Sequence, residues 1–202
     1  MAGIIIAFTN YLPGQGFDRM TWGGLENFEE LFTDRYFFRA FFNTCIISSL
    51  RIVCAIPASV MLAVLFNEMN RRWARVTVQA VSYLPYFISW VIAAIFFTTL
   101  LKSNGIVNTV LEGLGLPTLS MGNPKQFRFI LIASDMWKGV GYNSIIFTAA
   151  IMGVNPTLYE AIAIDGGNRW HKIWHIVLPS IRYAIVVVLI LWIGQFVNMG
   201  FD

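Results

Sequence analysis

YEAIAIDGGNRWHKIWHIVLP, residues Tyr159 to Pro179, is the one long polar interruption in a second half that is otherwise apolar. Just upstream, Asn155 followed by Pro156 predicts a helix start. Asparagine caps free backbone N–H groups, and proline at the first helical position gives up no needed hydrogen bond. The helix carries Glu160 and Ala161 and stops at Gly166-Gly167, because glycine enters the left-handed stop conformation at least cost. Asn168 can cap a second helix. There Trp170, Ile173, Trp174 and Val177 recur at i, i+3, i+4 and i+7 and form one apolar face. Pro179 is expected to end that helix. The stretch reads as helix, glycine turn and amphipathic helix, set between two apolar segments of membrane length.

Composition carries this reading to the whole chain. Hydrophobic residues make up 57% of the 202 residues and charged residues 12%, with a mean hydropathy of +0.64. Soluble domains carry about 25% charged residues, so this chain belongs in a lipid bilayer. The fold class expected is all-α, a polytopic transmembrane helix bundle forming a single domain over residues 1–202. The net charge of +3 is small. No basic patch interleaved with aromatic residues points to nucleic acid. Cys45 and Cys54 lie nine residues apart in one apolar segment, on opposite helix faces and about 13 Å apart along the axis, too far to bridge.

In chain order, residues 1–8, MAGIIIAF, are too short to span and lack the basic start and cleavage site of a signal peptide. They read as the last turns of a span. Residues 9–40 are mixed, with Arg19, Arg35 and Arg39 against Asp18, Glu26, Glu29, Glu30 and Asp34, and read as a surface helix leading into the membrane. Spans are expected at about 41–66, 76–101, 127–152 and 181–199. Arg51 and Pro57 interrupt the first of these; the arginine must pair, snorkel or face a cavity, and the proline predicts a kink. The short loop NEMNRRWAR, with Arg71, Arg72 and Arg75, is cytoplasmic by the positive-inside rule. Alternation then puts residues 102–126 outside, with a short interfacial helix at Asn108 to Leu116, and the loop at 153–180 inside. The 127–152 span holds Asp135, Trp137, Lys138, Tyr142 and Asn143. Asp135 and Lys138, three apart, share a helix face and can neutralise one another. Two readings stand for this group: a polar substrate path facing a cavity, or a structural ion pair beside helix-packing glycines.

Glu160-Ala161, Gly166, Ile176 and Leu178-Pro179 stand at the spacing of the cytoplasmic loop signature of binding-protein-dependent ABC importer permeases, with Ile162 in place of the second alanine. The chain resembles that family over nearly its whole length. Around Tyr83, Pro85, Tyr86 and Trp90, and in the WKGVGYN run at 137–143, it resembles permeases for oligosaccharides from complex polysaccharides. The resemblance implies a bacterial cytoplasmic-membrane subunit that translocates a carbohydrate. Its partners would be ABC ATPase subunits, a second permease in a heterodimer, and an extracytoplasmic solute-binding protein. Glu160, Ala161, Asp165, Gly166 and Gly167 would couple to the ATPase. Trp170, Trp174, Ile176, Leu178 and Pro179 would anchor the loop. By the same resemblance both ends look truncated. The alternatives are a permease for another solute, such as peptides or phosphate esters, and a non-transporting permease fragment.

The chain has no Gly-x4-Gly-Lys-Ser/Thr phosphate loop, so ATP hydrolysis is expected of a partner rather than of this chain. Gly139-Val140-Gly141 lacks the preceding strand of a dinucleotide site. His171 and His175 have the i, i+4 spacing of a zinc pair, but Lys172 stands where a metalloprotease has its glutamate, and no third ligand is evident. Neither metal nor cofactor is expected.

Overall fold

Helices account for nearly all regular structure in the computed structural model, which describes residues 2–10, 14 and 20–194. Asp18, Arg19 and the end of the expected last span, 195–199, lie outside the described residues. The chain packs as two units, Met1–Ile46 and Ile47–Asp202.

In the first unit, α1 (Ala2–Ala7) leads to a tight assembly around Phe8. Phe8 stacks on Trp22 at 5.8 Å and meets Phe28 at 5.2 Å. The Asn27 amide donates to the carbonyls of Ala7 and Thr9, both at 3.1 Å. Helix α2 (Glu26–Thr33) has Glu26 and Glu29 in its first turn, where the helix dipole favours negative charge. Asp34 then accepts from the Tyr36 N–H at 2.8 Å and starts α3 (Arg35–Glu68), whose residues up to Ile46 belong to this unit.

α3 is a single helix of 34 residues that runs through Arg51 and Pro57. Ala55, Ser59 and Ala63, four residues apart and at most 1% exposed, form a small-residue stripe suited to packing inside a membrane protein. The Ser59 hydroxyl donates to the Ala55 carbonyl at 2.7 Å, so it carries no unmet polar group into that stripe. At the C-terminal end, Arg75 donates to the carbonyls of Met69 (2.7 Å) and Asn67 (3.4 Å), closing the turn into α4 (Arg72–Tyr83).

The expected continuous span at 76–101 is broken. α4 passes into a 3-10 turn, Leu84–Phe87, and α5 (Trp90–Leu100) departs at a bend of 101°. Pro85 cannot donate to the helical ladder, and Ser89 begins a new helix by accepting from the Ile92 N–H at 3.3 Å. The expected helix at Asn108 to Leu116 is α6 (Ile106–Gly113). Asn108 itself is 2% exposed; it donates to the carbonyls of Leu101, Lys102 and Leu119 and accepts from the Leu119 N–H.

α7 (Pro124–Met152) follows, capped by Asn123. Next come α8 (Pro156–Ile164), α9 (Arg169–Lys172), a wide π-turn at Ile173–Val177, and α10 (Leu178–Gly194). Among the described residues, α3 and the run Arg169–Gly194 are long and apolar enough to cross a membrane, and four crossings result if each bent pair counts as one. The core gathers Ile56, Val60, Ala63 and Val64 of α3, Phe147 and Ile151 of α7, and Val177, Ile181 and Val188. A Cβ at Gly141 would collide with the Ser82 carbonyl, so the bare glycine is what lets α7 cross α4 at backbone distance.

Candidate functional site: an exposed signature loop and a polar cluster

The loop begins as its sequence dictates. The Asn155 side chain accepts from the Thr157 N–H at 3.0 Å, and Pro156 opens α8. The helix ends in a Schellman turn: Gly167 N–H donates to the Ile162 carbonyl (2.8 Å), Gly166 N–H donates to the Ala163 carbonyl (3.3 Å), and Gly166 has φ +72°. A Cβ at Gly167 would sit 2.6 Å from Ile162 Cγ1, so Ile162, the one departure from the signature, lies directly against the turn. Asn168 and His171 then form a reciprocal capping box, with histidine in the place usual for glutamate. The His171 and His175 rings stack at 5.8 Å. No group of three metal-binding side chains occurs among the described residues.

Two expectations for the second helix need correction. Pro179 does not end it: the helical run continues from Arg169 to Gly194, and Pro179 sits in the first turn of α10, directly after the π-turn. A wide turn removes the tight i−4 register against which a proline ring clashes. Nor do Trp170, Ile173, Trp174 and Val177 share one buried face. Val177 and Ile176 are 1% and 7% exposed and Ile173 packs on the core, whereas Trp170 and Trp174 are 68% and 62% exposed. The extra residue in the π-turn rotates the helix, so the seam runs through Ile173, Ile176, Val177 and Ile181. Leu178 packs against the same core; Pro179 is exposed.

α8 has no buried residue, and Glu160, Ala161 and Asp165 all face outward with Leu158 and Ile164. Its base is held from the other side. Arg169 pairs with Glu68 at the end of α3 (3.8 Å), which brings the arginine-rich turn and the signature loop to the same end of the unit. Burial, reinforced by the nearby Glu68 carboxylate, pushes the Tyr159 hydroxyl above the usual tyrosine range, so it stays neutral against the core.

Within the membrane segment, the expected Asp135–Lys138 pair is not the one formed. Asp135 takes Arg51 of α3 at 2.6 Å, and the Arg51 guanidinium lies 5.6 Å from the Trp192 ring centre. Lys138 is buried; its ammonium donates to the Tyr86 carbonyl at 2.8 Å and lies over the Tyr86 and Trp90 rings at 5.3 and 5.2 Å. The break at 84–89 leaves the Tyr86 carbonyl in need of a donor, and the Lys138 ammonium supplies one. Tyr142 stacks on Tyr86 (3.8 Å, 4°) and Trp137 stacks on Phe96 (5.6 Å). Asn143 is half-buried beside Gly139. A cavity of about 120 Å³ is lined by Ile47, Ser48, Arg51, Trp90, Leu131, Ile132 and Asp135. Ser48, whose hydroxyl is buried without a hydrogen-bond partner, gave no signal in the sequence; Arg51 did, as an arginine inside a span.

Apolar helices of membrane length, a broken span, an internal polar cluster and an exposed helix–glycine turn define a polytopic membrane protein. The chain belongs to the family of binding-protein-dependent transport system inner membrane components, which matches residues 55–200. It is 38% identical over 204 residues to the polygalacturonan/rhamnogalacturonan transport system permease protein YteP of Bacillus subtilis (strain 168), covering 100% of this chain and 64% of that protein. Protein LplB of the same organism is 36% identical over the same length and coverage. A crystal structure of a bacterial ABC transporter involved in the import of the acidic polysaccharide alginate superposes with a TM-score of 0.86 at 39% identity, covering 100% of this chain and 68% of that one. The chain thus spans 64% of the length of these two Bacillus relatives.

Proposed function

We propose that this chain serves as the membrane-spanning permease subunit of a bacterial ABC importer and translocates a carbohydrate, in the oligosaccharide range. The observation that carries the reading is α8: an exposed helix bearing Glu160 and Ala161, stopped by a Schellman turn at Gly166, and rooted in the core through Ile176, Val177 and Leu178. A helix that rests on the core through Tyr159 and leaves Glu160, Ala161 and Ile164 exposed is suited to dock into another subunit. Glu160 and Asp165 contribute charged contacts to an ATPase, Gly166 and Gly167 shape the turn, and Ile176, Leu178 and Pro179 tie it to the next span. Nucleotide-driven closure of the ATPase pair moves α8, and the bundle passes that motion to the spans as a rigid body. ATP hydrolysis itself belongs to the partner, since no phosphate-binding loop occurs in this sequence.

The carbohydrate half of the reading is supported by aromatic faces beside hydrogen-bonding and charged groups: Trp90, Trp137, Tyr86 and Tyr142 around Arg51, Asp135, Lys138 and Asn143. It is supported further by the polysaccharides named for the relatives. A second, unlike permease and an extracytoplasmic binding protein complete the assembly in this reading. The test is gentle solubilisation of native membranes containing a tagged copy. Co-purification of an ATPase and a second permease is the expected result. Insertion of the chain with neither partner recovered favours a non-transporting copy.

A further inference from the structure

Arg51 pairs with Asp135, and Arg169 pairs with Glu68. Asp135 is therefore already taken, and the membrane-embedded cluster of Arg51, Asp135 and Lys138 holds two cations and one carboxylate. Lys138 carries the surplus charge. It is 8% exposed and has no carboxylate within ion-pairing distance. An ammonium has three hydrogens to donate; one reaches the Tyr86 carbonyl, and beyond it the cation has the faces of Tyr86 and Trp90. Ring faces attract a cation without accepting its hydrogens in full. Asp135, one helical turn away, is shared with Arg51, so the cluster keeps one positive charge in excess, and such a surplus inside a bilayer is expensive and is retained where function uses it.

The surroundings suit a particular ligand. Trp90, which lies under the ammonium, also lines the cavity that holds Arg51 and the unpartnered Ser48 hydroxyl, itself 1% exposed. Lys138 stands beside this cavity rather than in its lining, joined to it through Trp90, so a ligand reaching both would place an anion on Lys138, an apolar ring face against Trp90 and a hydroxyl at Ser48, the three features of a carboxylate-bearing pyranose. We propose that Lys138 is a specificity-determining residue that selects uronate-type saccharides over neutral ones. This rests on the carbohydrate reading above and narrows it.

The test uses the complete purified transporter in lipid nanodiscs, without its binding protein. Equilibrium binding of digalacturonate is compared with that of its dimethyl ester, a matched pair differing only in charge. Wild type is expected to prefer the acid by about tenfold or more, the scale of one hydrogen bond to a charged group. Lys138→Gln should bring the ratio close to one, and Lys138→Arg should keep most of it, with the ATPase co-purifying in both. Equal binding of acid and ester by wild type overturns the proposal and leaves the carbohydrate reading standing. So does an undiminished acid preference in Lys138→Gln. Binding of neither saccharide overturns both.

Discussion

At the scale of single residues, Gly166 and Gly167 look alike in sequence but are required for different reasons. Nothing lies within 4 Å of a Cβ built at Gly166, whose constraint is its φ of +72°. At Gly167 the Cβ meets the Ile162 side chain at 2.6 Å and its carbonyl at 2.8 Å. Asparagine tolerates the left-handed conformation, whereas a β-branched residue there costs about 1–3 kcal/mol. Gly166→Asn should therefore retain uptake, Gly166→Val should lose most of it, and both should insert normally in the membrane, as read by transport assays beside membrane fractionation. Asp135 offers a second test. Asp135→Asn strands Arg51, and because the Arg51 side chain is still 31% exposed, the cost is set at about 2 kcal/mol, below that of a fully buried pair. Adding Arg51→Gln should recover much of that loss in thermal inactivation of the solubilised protein. The intramembrane arginine was legible as a residue in need of a partner. Which carboxylate answers it was not, because local spacing favoured Lys138 for Asp135, and only the approach of α3 to α7 supplies the shorter contact.

At the scale of elements, periodicity located the helices and failed where the backbone leaves the α ladder. The 76–101 segment carries no charged residue, so no charge marks where one span becomes two helices bent by 101°; Pro85 and Ser89 carried the local hint. In the loop, a strict 3.6-residue period aligned Trp170 and Trp174 with Val177, and the π-turn undoes that alignment. Val177→Ala should therefore cost about 1–2 kcal/mol in thermal stability, while Trp174→Ala should leave the solubilised chain within about 0.5 kcal/mol of the parent. A larger loss from the tryptophan would restore it to the buried seam. Likewise, Gly141→Leu should lower the yield of folded protein sharply, since the new side chain must displace the Ser82 backbone.

At the scale of the whole molecule, the arginine-rich turn after α3 and the signature loop share one end through Glu68 and Arg169, so they must face the same compartment. With Cys45 and Cys54 replaced by serine, a membrane-impermeant thiol reagent applied to intact cells should label Glu112→Cys but neither Arg71→Cys nor Glu160→Cys. Labelling of all three would overturn the topology. The sequence by itself determined the membrane setting, the α-helical class and the loop with its cap, glycine stop and family spacing. These rest on composition and on interactions within a few residues along the chain. Only the tertiary structure decided that Arg51 rather than Lys138 neutralises Asp135, that Lys138 reaches the broken span, and that the tryptophans face outward. Each of those outcomes depends on contacts between residues far apart in sequence, or on a turn whose width local propensity does not set.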